Sequence, residues 1–259
     1  MAVVLITGAA SGLGWALAQA CHARGDQLLL SDINANAVHA RAAALGANAV
    51  ALAGDICTTH TQQALLNACR EHFGRLDVLI NNAGITHRSP TTLTQPHVLR
   101  QVMAVDYHAP LELSIAALAL LQQSAGKIIC IGSMAGWMPL LGRAGYCAAK
   151  SAMSQAFEVL RAELAQAHID LLMVYPSFID TPIEQHALGV DGLPAAHRRS
   201  TLGPISTAQE IAKQILQAAE KRQPRLFPDR FSYLASLLWR LAPNTYYRLM
   251  QRRFAAELP

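Results

Sequence analysis

Tyr146 and Lys150 stand four residues apart in Tyr-Cys-Ala-Ala-Lys, a spacing that puts a phenol and an ammonium one turn apart on one helix face. A free tyrosine ionises near pH ~10, and a cation beside it favours the phenolate. A tyrosine tuned in this way takes a proton from an alcohol, or gives one to a ketone, near neutral pH. Ser133 lies upstream, after an apolar run that reads as a strand, and its hydroxyl can hold the substrate oxygen. A tyrosine and lysine at this spacing are common on solvated helix faces; their meaning depends on the company they keep.

That company begins at the N-terminus. The apolar run Val3–Ile6 leads into Thr7-Gly8-Ala9-Ala10-Ser11-Gly12-Leu13-Gly14, which opens a helical pattern reaching Arg24. Glycines at such a turn let backbone approach a phosphate closely, and the helix aims free N–H groups and its positive end at a pyrophosphate. Gly8, Ser11, Gly12, Leu13 and Gly14 are therefore expected to hold a dinucleotide. Asp32 closes the second apolar run, where an acid accepts hydrogen bonds from an adenosine ribose and repels a 2′-phosphate. No basic residue stands at Ser11 or just after Asp32, where Ile33 and Asn34 follow. This favours NAD over NADP; the alternative is that Asp32 only caps the next helix. Asp55, with Ile56, is placed at the adenine edge, although Asp55 fits a helix cap equally well.

The elements that must position these residues follow from apolar periodicity. Candidate strands are residues 3–6, 27–31, 49–53, 78–80, 127–131, 170–174 and 225–227, separated by segments long enough for crossover helices. The alternation predicts an α/β fold: a doubly wound parallel sheet of about seven strands, Rossmann-like and flanked by helices, with its ligand crevice at the carboxyl ends of the strands. The whole chain, 1–259, reads as one domain. Residues 183–204, rich in glycine and proline, read as a mobile substrate loop, and residues 228–259 as an extension beyond the last strand.

Composition excludes several classes. Hydrophobic residues make up 52% of the 259, so the chain is not disordered. The net charge of +4 is concentrated near the C-terminus, but no nucleic-acid motif accompanies it, and no nucleic-acid partner is expected. Five cysteines without a CxxC pair fit a reducing compartment. Ten histidines without a ligand cluster predict no metal site. No uninterrupted apolar stretch reaches the ~18 residues of a spanning helix, and the expected location is cytoplasmic.

Taken together, these residues resemble the short-chain dehydrogenase/reductase family from about residue 3 to 227. The resemblance rests on TGxxxGxG at Thr7–Gly14, Asn81-Asn82-Ala83-Gly84, Ser133, Tyr146 with Lys150, and the segment from Pro176 to Thr181. It implies hydride transfer to or from C4 of a nicotinamide, with Tyr146 as acid/base. Lys150 is then expected to hold the nicotinamide ribose and lower the tyrosine pKa, while Ser133 orients the substrate oxygen. Asn82, Ala83 and Gly84 line the cofactor cleft, and Pro176, Ile179 and Thr181 lie against the nicotinamide. The resemblance also implies a homodimer or homotetramer. Two residues depart from the family pattern. Asp106 stands where the family usually carries an asparagine whose backbone holds a water in a proton relay to the lysine; either Asp106 still shapes the helix and holds the water, since a backbone carbonyl does the main work, or a carboxylate near Lys150 alters the pH dependence of the relay. Ser177 replaces a common glycine and is expected to stiffen the loop.

On the substrate side, Met134, Trp137, Met138, Leu140, Leu141 and Phe178 flank the serine or the loop after strand six, implying an apolar substrate. The extension, with Phe231, Tyr233, Leu234, Leu237, Leu238 and Trp239 between arginines, reads as packing against the body or a partner subunit, ahead of a helix lying in a membrane interface. The expected activity is secondary alcohol–ketone interconversion. The alternatives are an NAD-binding regulatory protein without turnover and a non-redox reaction on the same scaffold.

Overall fold

A computed structural model describes residues 1–195 and 205–254. The sheet order is β3-β2-β1-β4-β5-β6-β9: β1 Val3–Thr7, β2 Gln27–Asp32, β3 Ala49–Ala53, β4 Val78–Asn81, β5 Lys127–Ile131, β6 Asp170–Val174 and β9 Arg225–Leu226. All neighbours pair in parallel. The central strands are buried on both faces, β1 at every residue, which is why they read as continuous apolar runs rather than alternating ones. All seven expected strands form, with ends within a residue or two of the predicted ones.

Helices cover both faces. On one, α1 (Gly12–Ala23), α2 (Ala35–Leu45) and α7 (Ala208–Glu220) bury Leu17, Val38 and Ile215 against the sheet. On the other, α3 (Thr59–Phe73), α5 (Ala109–Gln123) and α6 (Ala144–Glu163) bury Leu65, Leu113 and Phe157. Local chemistry sets several starts: Asn34 caps α2, Thr58 caps α3, and Thr207 with Glu210 forms a capping box on α7. β1 lies between β2 and β4, so the chain reverses its direction of winding there and a crevice opens at the carboxyl ends.

Three features were not foreseen. α4 (Pro96–Met103) runs into α5 through a π-helical turn at Ala104–His108. The resulting helix, Pro96–Gln123, is long and apolar enough to cross a membrane, yet it carries the fully buried Asp106 and packs against the sheet face. A two-stranded parallel sheet, β7 (Phe178–Asp180) with β8 (Ile205–Thr207), borders the crevice. The segment expected as a mobile loop is also tied down in its described part, where Leu188 exchanges backbone bonds with Thr86 and Arg88. Its residues 196–204 lie outside the described ones. Two helices complete the described residues, α8 (Arg230–Leu241) and α9 (Pro243–Phe254).

Candidate active site

The glycine turn is locked to the neighbouring strand by two side chains. Thr7 Oγ1 accepts the N–H groups of Asn82 and Ala83, each at 3.0 Å. Asn82 Nδ2 returns bonds to the carbonyls of Thr7 at 3.0 Å and Gly8 at 3.1 Å. Gly8 needs its φ of +65°, and a Cβ there would come within 2.8 Å of Ala83 Cα. Gly14 is tighter still: a Cβ would lie 2.1 Å from the Gly8 carbonyl oxygen. Gly8, Ser11, Gly12 and Leu13 line the cleft, whereas Gly14 does not. Gly14 serves close packing, because its missing side chain is what lets the start of α1 approach Gly8 and Asn82. Ser11 makes no side-chain capping bond and the first turn of α1 holds no acid, so the helix presents an open positive end to the cleft.

At the far end of β2, both oxygens of Asp32 face backbone donors, Ala10 N–H at 3.0 Å and Asn34 N–H at 3.0 Å. The carboxylate still lines the cleft and keeps acceptor capacity for a hydroxyl. Arg41 arrives from α2, donating Nε–H to the Ala10 carbonyl at 3.0 Å while its guanidinium stacks 4.6 Å from the Trp15 ring centre. It belongs to the wall behind Asp32 and does not line the cleft. Asp55 accepts the Cys57 N–H at 2.9 Å within its own turn. Asp55 and Ile56 both line the cleft, as do Ala83, Gly84, Pro176, Ile179 and Thr181.

Ser133, Tyr146 and Lys150 open onto the same cleft. Ser133 follows β5, and its Oγ accepts the Ala135 N–H at 3.1 Å, which fixes the oxygen and leaves its own proton to donate. Lys150 Nζ donates to the Ile131 carbonyl at 3.1 Å, lies 3.2 Å from Asp106 Oδ2, and stands 5.8 Å from the Tyr146 ring centre. Burial works against its charge, but Asp106 and Tyr146 outweigh burial and hold the ammonium above the ordinary lysine range. Asp106 is itself absent from the cleft wall; it stands behind Lys150 and takes the Ile85 N–H on Oδ1 at 2.8 Å. Burial pushes its carboxyl upward, while Lys150 and the Ile85 N–H pull against that.

The start of α6 is set by a residue that sequence reading missed. Gly145 N–H donates to His87 Nε2 at 2.8 Å, one position before Tyr146. His87 is fully buried, and its Nδ1 meets Ser89 Oγ at 3.3 Å. Burial, with the charge of Arg143, pushes the imidazole down to about 4, so it remains the neutral acceptor this bond requires. Thr7 and Arg41 were likewise not assigned. Thr7 carried a signal, as the first residue of the glycine turn; His87 and Arg41 carried none, because each meets its partner only through the fold.

Met134, Met138, Leu140, Leu141 and Phe178 line the cleft as expected, but Trp137 does not. Trp137 turns inward, edge-on to Tyr175 at 5.1 Å and Phe227 at 5.0 Å, where edge-to-face packing in that aromatic cluster holds its ring. The rest of the substrate side comes from the extension. Phe231, Leu234, Leu238, Tyr246, Leu249 and Met250 close the cleft, and Tyr246 is anchored by its hydroxyl on the Pro139 carbonyl at 2.7 Å. The loop after β6 is joined to the same wall, since Ser177 Oγ donates to Asp229 Oδ2 at 3.1 Å and Asp229 caps α8 through the N–H groups of Phe231 and Ser232. The whole space measures 1390 Å³, above the ~300–1,000 Å³ of a usual small-molecule pocket, with room for a dinucleotide and a second ligand.

Comparison with known proteins agrees with this arrangement. The family model for short chain dehydrogenase matches residues 2–188. "Dehydrogenase/reductase SDR family member 7B" of Bos taurus is 33% identical over 267 residues, 99% of this chain and 82% of that protein. "3-oxoacyl-[acyl-carrier-protein] reductase FabG" of Escherichia coli is 31% identical over 214 residues, 82% of this chain and 87% of that protein. A short-chain dehydrogenase/reductase from Burkholderia phymatum, solved in complex with NAD, superposes with a TM-score of 0.83 at 21% identity, covering 94% of each chain. One from Sphingobium yanoikuyae in complex with NADPH superposes with a TM-score of 0.79 at 26% identity, covering 97% of this chain and 96% of that one. With the family model spanning most of its length and relatives above 30% identity along nearly all of it, the chain belongs to the short-chain dehydrogenase/reductase family.

Proposed function

We propose that this protein is an NAD-dependent oxidoreductase that interconverts a secondary alcohol and a ketone on an apolar substrate. One observation carries the reading: Ser133, Tyr146 and Lys150 open onto the same cleft as the uncapped start of α1, with an apolar wall beyond them. The residues fit a nicotinamide dinucleotide. The positive end of α1 suits its pyrophosphate, Asp32 its adenosine ribose, and Lys150 its second ribose. When bound, the nicotinamide supplies or accepts the hydride. Tyr146 gives a proton to the carbonyl oxygen in reduction or removes it in oxidation. The Ser133 hydroxyl donates to the same oxygen and holds it in place.

Support for NAD over NADP comes from Asp32, whose negative charge faces the position of a 2′-phosphate, and from Arg41 being held behind the wall on Ala10 and Trp15. Solved relatives occur in complex with NAD or with NADPH, so their cofactors do not discriminate. The substrate is read as a lipophilic ketone or alcohol because both terminal helices present apolar side chains to the cleft. Exposed Ile115 on α5 and Val159 on α6 support self-association as a homodimer or homotetramer. Peripheral contact of α8 and α9 with a membrane belongs to the same reading, since their inner faces pack on the body while Leu234 and Leu249 stay exposed.

The test follows nicotinamide absorbance with NAD or NADP across a panel of lipophilic secondary alcohols and ketones, with Tyr146→Phe run alongside. NAD-linked turnover, lost by a factor of ~10² or more in the variant, is the expected result. Cofactor binding without turnover on any compound would sink the reading in favour of a binding protein, and preference for NADP would overturn the role given to Asp32.

A further inference from the structure

Asp106 is a carboxylate placed where nothing in the proton-transfer chemistry requires one. It is fully buried, and Oδ1 accepts the Ile85 N–H at 2.8 Å. Oδ2 lies 3.2 Å from Lys150 Nζ as a buried ion pair, so its charge acts directly on the lysine. The direction of Nζ is set by the Ile131 carbonyl at 3.1 Å. Gly84 borders the pair, an added Cβ there standing 3.5 Å from both Nζ and Oδ1. Asp106 is carried inward by the π-helical turn at Ala104–His108, a local geometry frequent at functional sites.

Lys150 has two partners of opposite consequence. A lone ammonium beside Tyr146 favours the phenolate. A carboxylate behind that ammonium cancels part of its field, and in a buried site this cancellation is not screened by solvent. Resting on the reading of Tyr146 as proton carrier, we propose that Asp106 sets the pH range over which Tyr146 works: its ion pair with Lys150 keeps the Tyr146 hydroxyl protonated to higher pH, so that at neutral pH Tyr146 is held as the acid that carbonyl reduction needs. Asp106 is in this sense a positioning residue for charge, touching neither substrate nor cleft.

The surroundings leave few other groups to produce the effect. The titratable side chains facing the pair are Tyr146 on α6, Cys130 near the end of β5 and Cys57 after β3, with Asp55 and Glu112 of α5 beyond Cys57. Burial pushes both thiols up to about 12, so neither ionises in the working range. Arg143 is a further cation lining the cleft at the start of α6, and it is common to every variant compared below.

Tyr146 ionisation can be read without turnover. Absorbance at the phenolate band is followed against pH in the full-length protein and in Tyr146→Phe, and the difference isolates Tyr146. The same difference is then taken in an Asp106→Asn background. Asparagine keeps an acceptor for the Ile85 N–H and removes only the charge; Asp106→Ser is the second charge-removing variant should the first fold poorly. The expected result is a Tyr146 midpoint lower by on the order of one pH unit in Asp106→Asn, with the high-pH fall in ketone-reduction kcat moving by the same amount and the substrate KM unchanged. A midpoint that stays put or rises overturns the proposal. Failure of the functional reading looks different: Tyr146 shifts as expected, yet no member of the carbonyl panel is turned over.

Discussion

The chemistry at the residue scale depends on groups that hold Tyr146 and Lys150 in place. His87 is the clearest case. Its neutral Nε2 accepts the Gly145 N–H at the start of α6, and its folded-state value of about 4 lies below the ordinary 6.5. Between those values the unfolded chain binds the proton and the folded one does not, so stability rises with pH across that window. The contribution is complete above pH 6.5 and is lost progressively as pH falls toward 4. The difference is worth up to about 3 kcal/mol. Thermal unfolding measured from pH 4 to 7 is expected to show that slope, and His87→Gln, an uncharged acceptor, to flatten it. An equal slope in both proteins would show that another group is responsible. That Ser133, Tyr146 and Lys150 share one cleft was legible in the sequence, because the glycine turn gave their spacing a meaning it lacks alone. His87 was not, since a single histidine in a polar stretch announces no partner.

Elements explain what periodicity conveys and what it hides. Central strands buried on both faces appear as apolar runs and were readable for that reason, and the partly buried β3 and β9 at the sheet edges were readable from their short apolar segments. The parallel pair β7–β8 was not, because its strands span three residues each and are partly exposed. The π-helical turn that aims Asp106 inward also left no compositional mark. Trp137 was misplaced because apolar character does not say which of two apolar surroundings a ring will choose. The junction between the loop after β6 and α8 makes the element scale testable. Asp229 caps α8, and its carboxylate is held below its ordinary range, burial notwithstanding, by bonds from Ser232, Phe231 and Ser177. Asp229→Ala is expected to cost about 1 kcal/mol of stability. It is further expected to raise the KM for substrate several-fold with little change in cofactor affinity, since α8 walls only the substrate side. The cap should weaken in acid, as a carboxylate with a lowered value loses its contribution when pH falls through that value. If cofactor affinity falls instead, the loop rather than α8 is what the cap supports.

The two terminal helices form one wall of the cleft, and their composition makes the proposed membrane contact testable. Between Arg230 and Arg253 there are five arginines and no acidic residue. Their inner side chains, Tyr246 and Met250, are buried against Met138, Leu140 and Leu141. Their outer ones stay in solvent: Leu234 is 62% exposed, Leu249 53% and Leu241 83%. Leu234 and Leu249 stand at the rim of the cleft, together with Arg253. Exposed leucines among arginines match a surface that is apolar within and anionic at its edge, which a bilayer of acidic lipids provides. Such contact would set the cleft mouth on the reservoir of a lipophilic substrate. Vesicles of phosphatidylcholine with phosphatidylserine are therefore expected to sediment the protein, and vesicles of phosphatidylcholine alone to do so weakly. Binding should fall with salt as the arginine contribution is screened. Leu234→Glu with Leu249→Glu changes only exposed positions, so it is expected to leave cofactor binding intact while abolishing sedimentation. If the double variant instead converts an oligomer to a monomer and neither protein binds vesicles, the exposed leucines face a second copy of this chain.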